Sequence, residues 1–142
     1  MASKQESKDC GEILSFLKTR GYFRKTNDVS QIGLPDILGT FEGHFFGIEV
    51  KSIDEVPEDG MVPKKGKHAF TPTQVKEMLE IDKNGGTAIG FVVCGNQLLW
   101  ITPYQIEEDG RVWWRTDQVV AKKRSGGWSD LDKLLIKCKN ID

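Results

Sequence analysis

Two carboxylates and a lysine stand at a spacing that suits the binding of a divalent cation and the hydrolysis of a phosphodiester. Asp36 precedes Glu49 by thirteen residues, and Lys51 follows Glu49 by two. The segment between the carboxylates has two β-prone stretches around Glu42-Gly43, which predicts a hairpin with a two-residue turn. A turn at that position sets Asp36 opposite Glu49, with their Cβ atoms about 5 Å apart. The two carboxylates repel each other there, and a bound cation would turn that repulsion into attraction.

Strand alternation adds the lysine to the carboxylates and separates them from a core face. Glu49 and Lys51 point to the same face of their strand, and the residues between and beside them point to the other. The predicted core face carries Ile37, Phe41, Phe46, Ile48 and Val50. Gly47 lies on the face of the carboxylates, where its missing side chain leaves room for a substrate or a packed helix. The alternative is an ordinary exposed hairpin with scattered charges.

Four short motifs follow one another in a characteristic order. They are Gly33-Leu34-Pro35-Asp36-Ile37, Gly47-Ile48-Glu49-Val50-Lys51, Thr71-Pro72-Thr73-Gln74 and Gly85-Gly86. In this order they resemble the PD-(D/E)XK nucleases, and most of all the small VRR-Nuc branch with its phage-encoded and Holliday-junction-resolvase-like members. The resemblance extends from about residue 6 to residue 102. It implies a restriction-endonuclease-like αβββαβ core, Mg²⁺ or Mn²⁺ as cofactor, and cleavage of DNA.

The resemblance also implies roles for individual residues. Asp36 and Glu49 would ligate the cation together with the backbone carbonyl of Val50, because hard cations prefer oxygen ligands. Lys51 would orient the attacking water or stabilise negative charge on the phosphate, for which a compact cation is suited. Gln74, on the first turn of the following helix, would face the site as a fourth catalytic residue.

The family usually supplies one more acidic metal ligand from its first helix, and two candidates are present. Glu6, Cys10, Ile13 and Leu17 follow one another by four, three and four residues, so they lie on one helical stripe that faces the sheet. Glu12 lies on the opposite side of the helix and points to solvent. Glu6 is therefore the predicted ligand, and the alternative is that it is a frayed, exposed N-terminal residue.

A basic loop between the Glu49 strand and the next helix is the favoured site of DNA phosphate contacts. It contains Lys64, Lys65, Lys67 and His68. Further basic clusters lie within residues 18–25 and 122–124, and each cluster could instead be solvated surface. The net charge of −1 is low for a DNA-binding protein, since affinity for DNA comes largely from phosphate contacts. Carboxylates that hold a cation lower the formal charge without repelling the substrate.

Hydrophobic periodicity and turn signals predict the elements that position these residues. The predicted helices span about residues 5–19 and 71–83, with a last helix that begins at Ser129. The predicted strands comprise 22–26, the hairpin, 87–93 and 98–101. Residues 52–70 form a polar insertion that is expected to be mobile. Together these elements predict an α/β fold with a mixed sheet flanked by helices, to which a C-terminal hairpin and helix are added.

The C-terminal segment is expected to extend the core. Residues 1–102 form the predicted nuclease core, and residues 103–142 form an extension that packs on the same domain. Asp109-Gly110 predicts a turn between two strands that end near Arg115. This half carries Trp100, Trp113, Trp114 and Trp128. Aromatic side chains near Lys and Arg could stack on bases, but a core or a subunit contact is favoured, and the extension is expected to form a homodimer.

Composition limits the remaining possibilities. A chain of 142 residues with 38% hydrophobic residues predicts one compact domain. No stretch approaches the roughly 20 apolar residues of a membrane span, and the polar N-terminus does not resemble a signal peptide. The three cysteines, Cys10, Cys94 and Cys138, are expected to be buried or free thiols in a reducing compartment, which predicts the cytoplasm of a cell or of a phage host.

The sequence therefore predicts a metal-dependent DNA endonuclease. Branched DNA such as a Holliday junction is the favoured substrate. One alternative is a phage or defence endonuclease that cuts ordinary duplex DNA. A second alternative is a DNA-binding module that keeps the fold without catalysis, although such a module has no need to place two carboxylates together.

Overall fold

A six-stranded mixed sheet with helices on both faces organises the molecule, and the predicted α/β architecture is confirmed. The computed structural model describes residues 4–26, 33–54, 61–62, 70–121 and 131–139. The helices are α1 (Lys4–Lys18), α2 (Pro72–Lys83) and α3 (Leu131–Lys139). The strands are β1 (Tyr22–Lys25), β2 (Ile37–Phe41), β3 (His44–Ser52), β4 (Met61–Val62), β5 (Thr87–Cys94), β6 (Gln97–Ile101), β7 (Val112–Trp113) and β8 (Val119–Ala121). The main sheet has the order β1-β2-β3-β5-β6-β8.

The β2–β3 hairpin has the predicted turn and register. Glu42 and Gly43 have φ values of 51° and 77°, and positive φ at both central positions matches the twist of the flanking strands. Ile37 pairs with Ile48, and Phe41 pairs with His44. β3 then pairs with β5 in parallel, so this strand is covered on both edges. The predicted core face is confirmed, because its five residues are all buried in one apolar cluster.

Helix α1 covers that core face. Its buried residues are Glu6, Asp9, Cys10, Ile13 and Leu17, which form a single stripe. Gly21 then closes the helix by donating its backbone N–H to the carbonyl of Leu17 at 3.0 Å. Four residues of α3 join the same cluster: Leu131, Leu134, Leu135 and Cys138. The predicted start of this helix at Ser129 lies outside the described residues.

Helix α2 covers the opposite face of the sheet. Its Ile81 fills the space above Gly47, where an added Cβ atom would lie 2.6 Å from the Cδ1 atom of Ile81. Of the two possibilities predicted for Gly47, a substrate or a packed helix, the structure has a helix packed against it. Helix α2 starts as its sequence predicts, with Thr71 as N-cap and Pro72 in the first turn, and Gln74 closes a capping box that was not predicted. None of the described helices is long and apolar enough to cross a membrane.

The insertion and the C-terminal segment differ in detail from the prediction. Met61–Val62 lies inside the predicted polar insertion but forms β4, which pairs with β7. The turn at Asp109-Gly110 is present, yet the strand before it is reduced to a single bridge from Ile106 to Val112. A 3₁₀ turn at Pro103–Gln105 occupies the residues that would extend that strand. The last strand, β8, instead extends the main sheet at the edge of β6.

Candidate active site

The hairpin brings Asp36 and Glu49 together beyond the end of its ladder. The ladder ends at the pair Ile37 and Ile48, one residue short of the two carboxylates. Beyond the last β2–β3 pair, a side chain continues the contact between the two strands. The Oδ2 atom of Asp36 accepts the backbone N–H of Val50 at 2.8 Å. The family resemblance implied a role only for the backbone carbonyl of Val50, so this hydrogen bond from its backbone N–H was not predicted. It fixes the direction of one carboxylate by the backbone of the neighbouring strand.

The electrostatics of the pair are unfavourable while both carboxylates are charged. Glu49 is 3% exposed, and burial followed by the negative charge of Asp36 raises its pKa well above the ordinary value. Burial also raises the pKa of Asp36, although the N–H of Val50 partly offsets this. The Oε1 atom of Glu49 is buried and receives no hydrogen bond from the described residues. Without a cation, burial and mutual repulsion therefore favour protonation of one of the two carboxyl groups.

The second oxygen of Glu49 is held from two sides. Its Oε2 atom accepts a hydrogen bond from Gln74 Nε2 at 3.1 Å. The ammonium of Lys51 lies 3.6 Å from the same oxygen, and Lys51 is itself only 5% exposed. The face predicted for Glu49 and Lys51 is thus the one on which they meet, and Gln74 reaches them from α2. The structure brings together Asp36, Glu49, Lys51 and Gln74.

Gln74 links the site to the start of α2. Its Oε1 atom accepts the backbone N–H of Thr71 at 2.9 Å, and a backbone N–H can only donate. The amide is therefore oriented with its Nε2 group towards Glu49. A glutamate could serve the capping box equally well, but it would face Glu49 with an acceptor and a negative charge. An amide side chain can thus accept the Thr71 N–H and donate to Glu49 at the same time.

The Pro35-Asp36 dipeptide is held by the end of β1. Thr26 donates its backbone N–H to the carbonyl of Asp36 at 2.9 Å and its hydroxyl to the carbonyl of Pro35 at 2.8 Å. Burial raises the pKa of Asp36, and the positive charge of Lys25, the last residue of β1, offsets a small part of that rise. Gly33, with φ of 87°, lies against Thr73, where an added Cβ atom would approach the threonine methyl to 2.5 Å. The motif is therefore anchored to both β1 and α2.

Asp9 is a buried acidic residue that the sequence interpretation missed. It is 6% exposed, and its Oδ2 atom accepts the Ser52 hydroxyl at 2.7 Å. Its Oδ1 atom accepts the side-chain amide of Gln5 at 3.0 Å. Helical spacing could have identified it, since Asp9 follows Glu6 by three residues and precedes Ile13 by four. Asp9 ties α1 to β3 one residue beyond Lys51.

Glu6 lies on the predicted side of α1, and its role as a ligand stays a prediction. It is 6% exposed, whereas Glu12 is half-buried. Burial, followed by the negative charges of Asp36, Glu49 and Glu6, raises the pKa of the Cys10 thiol to about 12. Within the described ranges, however, no three His, Cys, Asp or Glu side chains converge as a metal-binding group.

The pair formed by Asp36 and Glu49 still fits a divalent cation. Asp36 and Glu49 offer hard oxygen donors, one Glu49 oxygen is buried with no hydrogen bond from the described part of the chain, and burial disfavours two bare negative charges. The predicted DNA contacts of Lys64, Lys65, Lys67 and His68 lie outside the described residues.

Comparison with known proteins identifies the fold. No family model matches the chain, and no curated protein matches it. Among solved structures, the chain is similar to Hjc from Archaeoglobus fulgidus, a Holliday junction resolvase from an archaeal hyperthermophile. The two share 15% sequence identity with a TM-score of 0.57, over 92% of this chain and 98% of the resolvase. The chain therefore shares the restriction-endonuclease-like fold of this resolvase.

Proposed function

We propose that this chain is a metal-dependent deoxyribonuclease that hydrolyses phosphodiester bonds in branched DNA. The observation that carries the proposal is the buried Glu49 opposed by the half-buried Asp36, with the Lys51 ammonium 3.6 Å from Glu49. The fold it shares with a Holliday junction resolvase supports branched DNA as the substrate. The VRR-Nuc branch, suggested by the four motifs, is part of the proposal.

The residues would divide the work as follows. Asp36 and Glu49 would hold Mg²⁺ or Mn²⁺, with the Val50 carbonyl and Glu6 as further oxygen donors. A bound cation would supply Lewis-acid polarisation of the phosphate and a water of lowered pKa. The backbone N–H of Val50 keeps Asp36 directed, and the Gln74 amide does the same for Glu49. Lys51 would stabilise negative charge that develops on the phosphate, from a position that needs little reorganisation.

A substrate panel tests the proposal directly. Matched duplex, flap, single-stranded and four-way-junction DNA are incubated with the chain in Mg²⁺, in Mn²⁺ and in EDTA. We expect cleavage of the junction in either metal and none in EDTA. Equal cleavage of plain duplex would favour the ordinary duplex endonuclease, and binding without any cleavage would favour the inert DNA-binding module.

The homodimer expected from the sequence is part of the same proposal. A four-way junction needs cuts in two strands, and each chain offers one Asp36/Glu49 pair. Sedimentation of the chain with and without a junction measures whether two copies assemble. The lysines and histidine of the 64–68 loop stay the predicted phosphate contacts.

Glu6→Gln is expected to slow cleavage at least about tenfold, while Glu12→Gln leaves the rate unchanged. The physical reason is that Glu6 is buried on the α1 face whose Cys10 is affected by the charges of Asp36 and Glu49. Rates are compared across a Mg²⁺ titration, because a lost ligand raises the metal concentration needed for half-maximal activity. A large loss for Glu12→Gln with none for Glu6→Gln would reverse the assignment.

Gln74→Glu is expected to lower the cleavage rate about tenfold while α2 stays folded. Glutamate keeps the acceptor for the Thr71 N–H but loses the donor to Glu49 and adds a third negative charge there. Cleavage rate and helical circular dichroism are measured together. Gln97→Glu, at an exposed position at the start of β6, is the matched control. An unchanged rate for Gln74→Glu would mean that the amide donor has no part in the site.

A further inference from the structure

We propose that Phe70 is a positioning residue for Lys51, whose ammonium its aromatic ring holds beside Glu49 by cation–π attraction. The inference rests on the proposed nuclease function. The Nζ atom of Lys51 lies over the Phe70 ring, 5.6 Å from its centroid. This is within the distance of about 6 Å at which the negative face of an aromatic ring attracts an ammonium.

The ring occupies a place that the neighbouring strand leaves open for it. Gly90 in β5 is the register partner of Glu49 in β3. A Cβ atom added at Gly90 would lie 2.9 Å from the Cζ atom of Phe70, closer than such contacts normally come. The Phe70 ring therefore packs directly against the backbone of Gly90, which has no side chain to displace it. Phe70 is 2% exposed, so its attraction for the ammonium is little screened by water.

An aromatic ring suits this position better than a polar partner. Lys51 is 5% exposed and has lost most of its hydration, so its ammonium needs attractive contacts within the protein. Its ion pair with Glu49 is long, at 3.6 Å. A second carboxylate would draw the ammonium away and add negative charge beside the phosphate. The ring attracts the ammonium without taking one of its protons in a conventional hydrogen bond, which leaves those protons for a phosphate oxygen.

The segment at the start of α2 contacts both Glu49 and Lys51 of β3. Phe70 immediately precedes the N-cap Thr71, and its position relative to Val75 is that of a hydrophobic staple. Four residues after Phe70, Gln74 donates to Glu49. The start of α2 thus holds Lys51 through Phe70 and Glu49 through Gln74. Any shift of this helix start would move the ammonium and the carboxylate together.

Fluorination of the Phe70 ring tests the inference, because fluorine weakens the negative face of the ring with little change in shape. Phe70 is replaced site-specifically by mono-, di- and trifluorophenylalanine, and kcat, KM and Tm are measured on a four-way junction in Mg²⁺. We expect kcat to fall stepwise, about tenfold in total, with KM and Tm nearly constant. Phe91, a buried residue of β5 in the cluster under α1, is the matched control and should show no such trend. A flat kcat in the Phe70 series of an active protein would overturn the inference and leave the nuclease proposal intact.

A second measurement does not depend on activity. In the NMR spectrum, the Cε protons of Lys51 should be shifted upfield by the ring current of Phe70. Phe70→Leu should abolish that shift, and it should lower kcat at least about tenfold in an active protein. An unshifted Lys51 resonance in the unaltered chain would overturn the inference even if no substrate were cleaved, whereas the absence of cleavage alone would overturn only the proposed function.

Discussion

The Asp36→Asn variant is expected to cleave a four-way junction roughly a hundredfold to thousandfold more slowly than the unaltered chain, with nearly unchanged DNA affinity. Asparagine can still accept the Val50 N–H, so the hairpin end keeps its geometry. It loses the negative charge that would hold a cation beside Glu49. Lys51→Met should have a similar effect, because it removes the charge that would stabilise the phosphate. Affinity persists in both variants because it arises from many phosphate contacts spread over the surface.

Single-turnover rates with labelled junction DNA in Mg²⁺ measure the loss, and fluorescence anisotropy in Ca²⁺ measures the affinity. Asp117→Asn, an exposed aspartate paired only with the exposed Arg115 in the contacts described, is the matched control and should cleave normally. Cleavage by Asp36→Asn at nearly the unaltered rate would refute the assignment of the site. A parallel loss of binding and cleavage would instead point to a general role in DNA affinity.

In EDTA, the same Asp36→Asn substitution is expected to raise Tm by a few degrees. Burial and the charge of Asp36 raise the pKa of Glu49, so the folded chain holds that proton more tightly than the unfolded chain does. As pH rises above the ordinary glutamate pKa of 4.5, the unfolded chain ionises this group while the folded chain keeps the proton, so the free energy of unfolding falls until pH passes the raised pKa. Asparagine removes the repulsion and keeps the Glu49–Lys51 pair. A gain of about 1 kcal/mol gives a shift of that size in a chain of this length.

In saturating Mg²⁺, the unaltered chain should have a higher Tm than Asp36→Asn, the reverse of the order expected in EDTA. A cation that binds only the folded pair adds about 2.7 kcal/mol of stability at a hundred times its Kd. The unaltered chain should therefore gain Tm in Mg²⁺, and Asp36→Asn should not. Thermal scans between pH 4.5 and 8, with and without metal, measure both effects, and Asp117→Asn should follow the unaltered chain. An equal Mg²⁺ shift in both proteins would mean that the cation binds elsewhere.

Local physics explains why the hairpin and its carboxylates were predictable. A two-residue turn at Glu42-Gly43 admits one register, and that register sets Asp36 opposite Glu49 at the ladder end. Period-two alternation then directs Lys51 to the same face. The start of α2 was predictable for the same reason, because Thr71 and Gln74 contact each other within a single turn.

The contacts that complete the site required the tertiary structure. Asp9 meets Ser52 across 43 positions of the chain, and Gln74 meets Glu49 across 25. The pairing of Met61–Val62 with Val112–Trp113 likewise joins two distant segments. Periodicity assigns a residue to a face, but it carries no information about which distant segment covers that face.

By itself, then, the sequence determined the α/β class, the hairpin register and the face shared by Asp36, Glu49 and Lys51. Each of these follows from interactions between residues close in the chain, where turn geometry and strand alternation leave few choices. The tertiary structure alone decided that Phe70 lies beneath the Lys51 ammonium, because that contact needs β5 to present the bare backbone of Gly90 beside Glu49. Close packing of three distant segments makes the contact, and no local pattern encodes it.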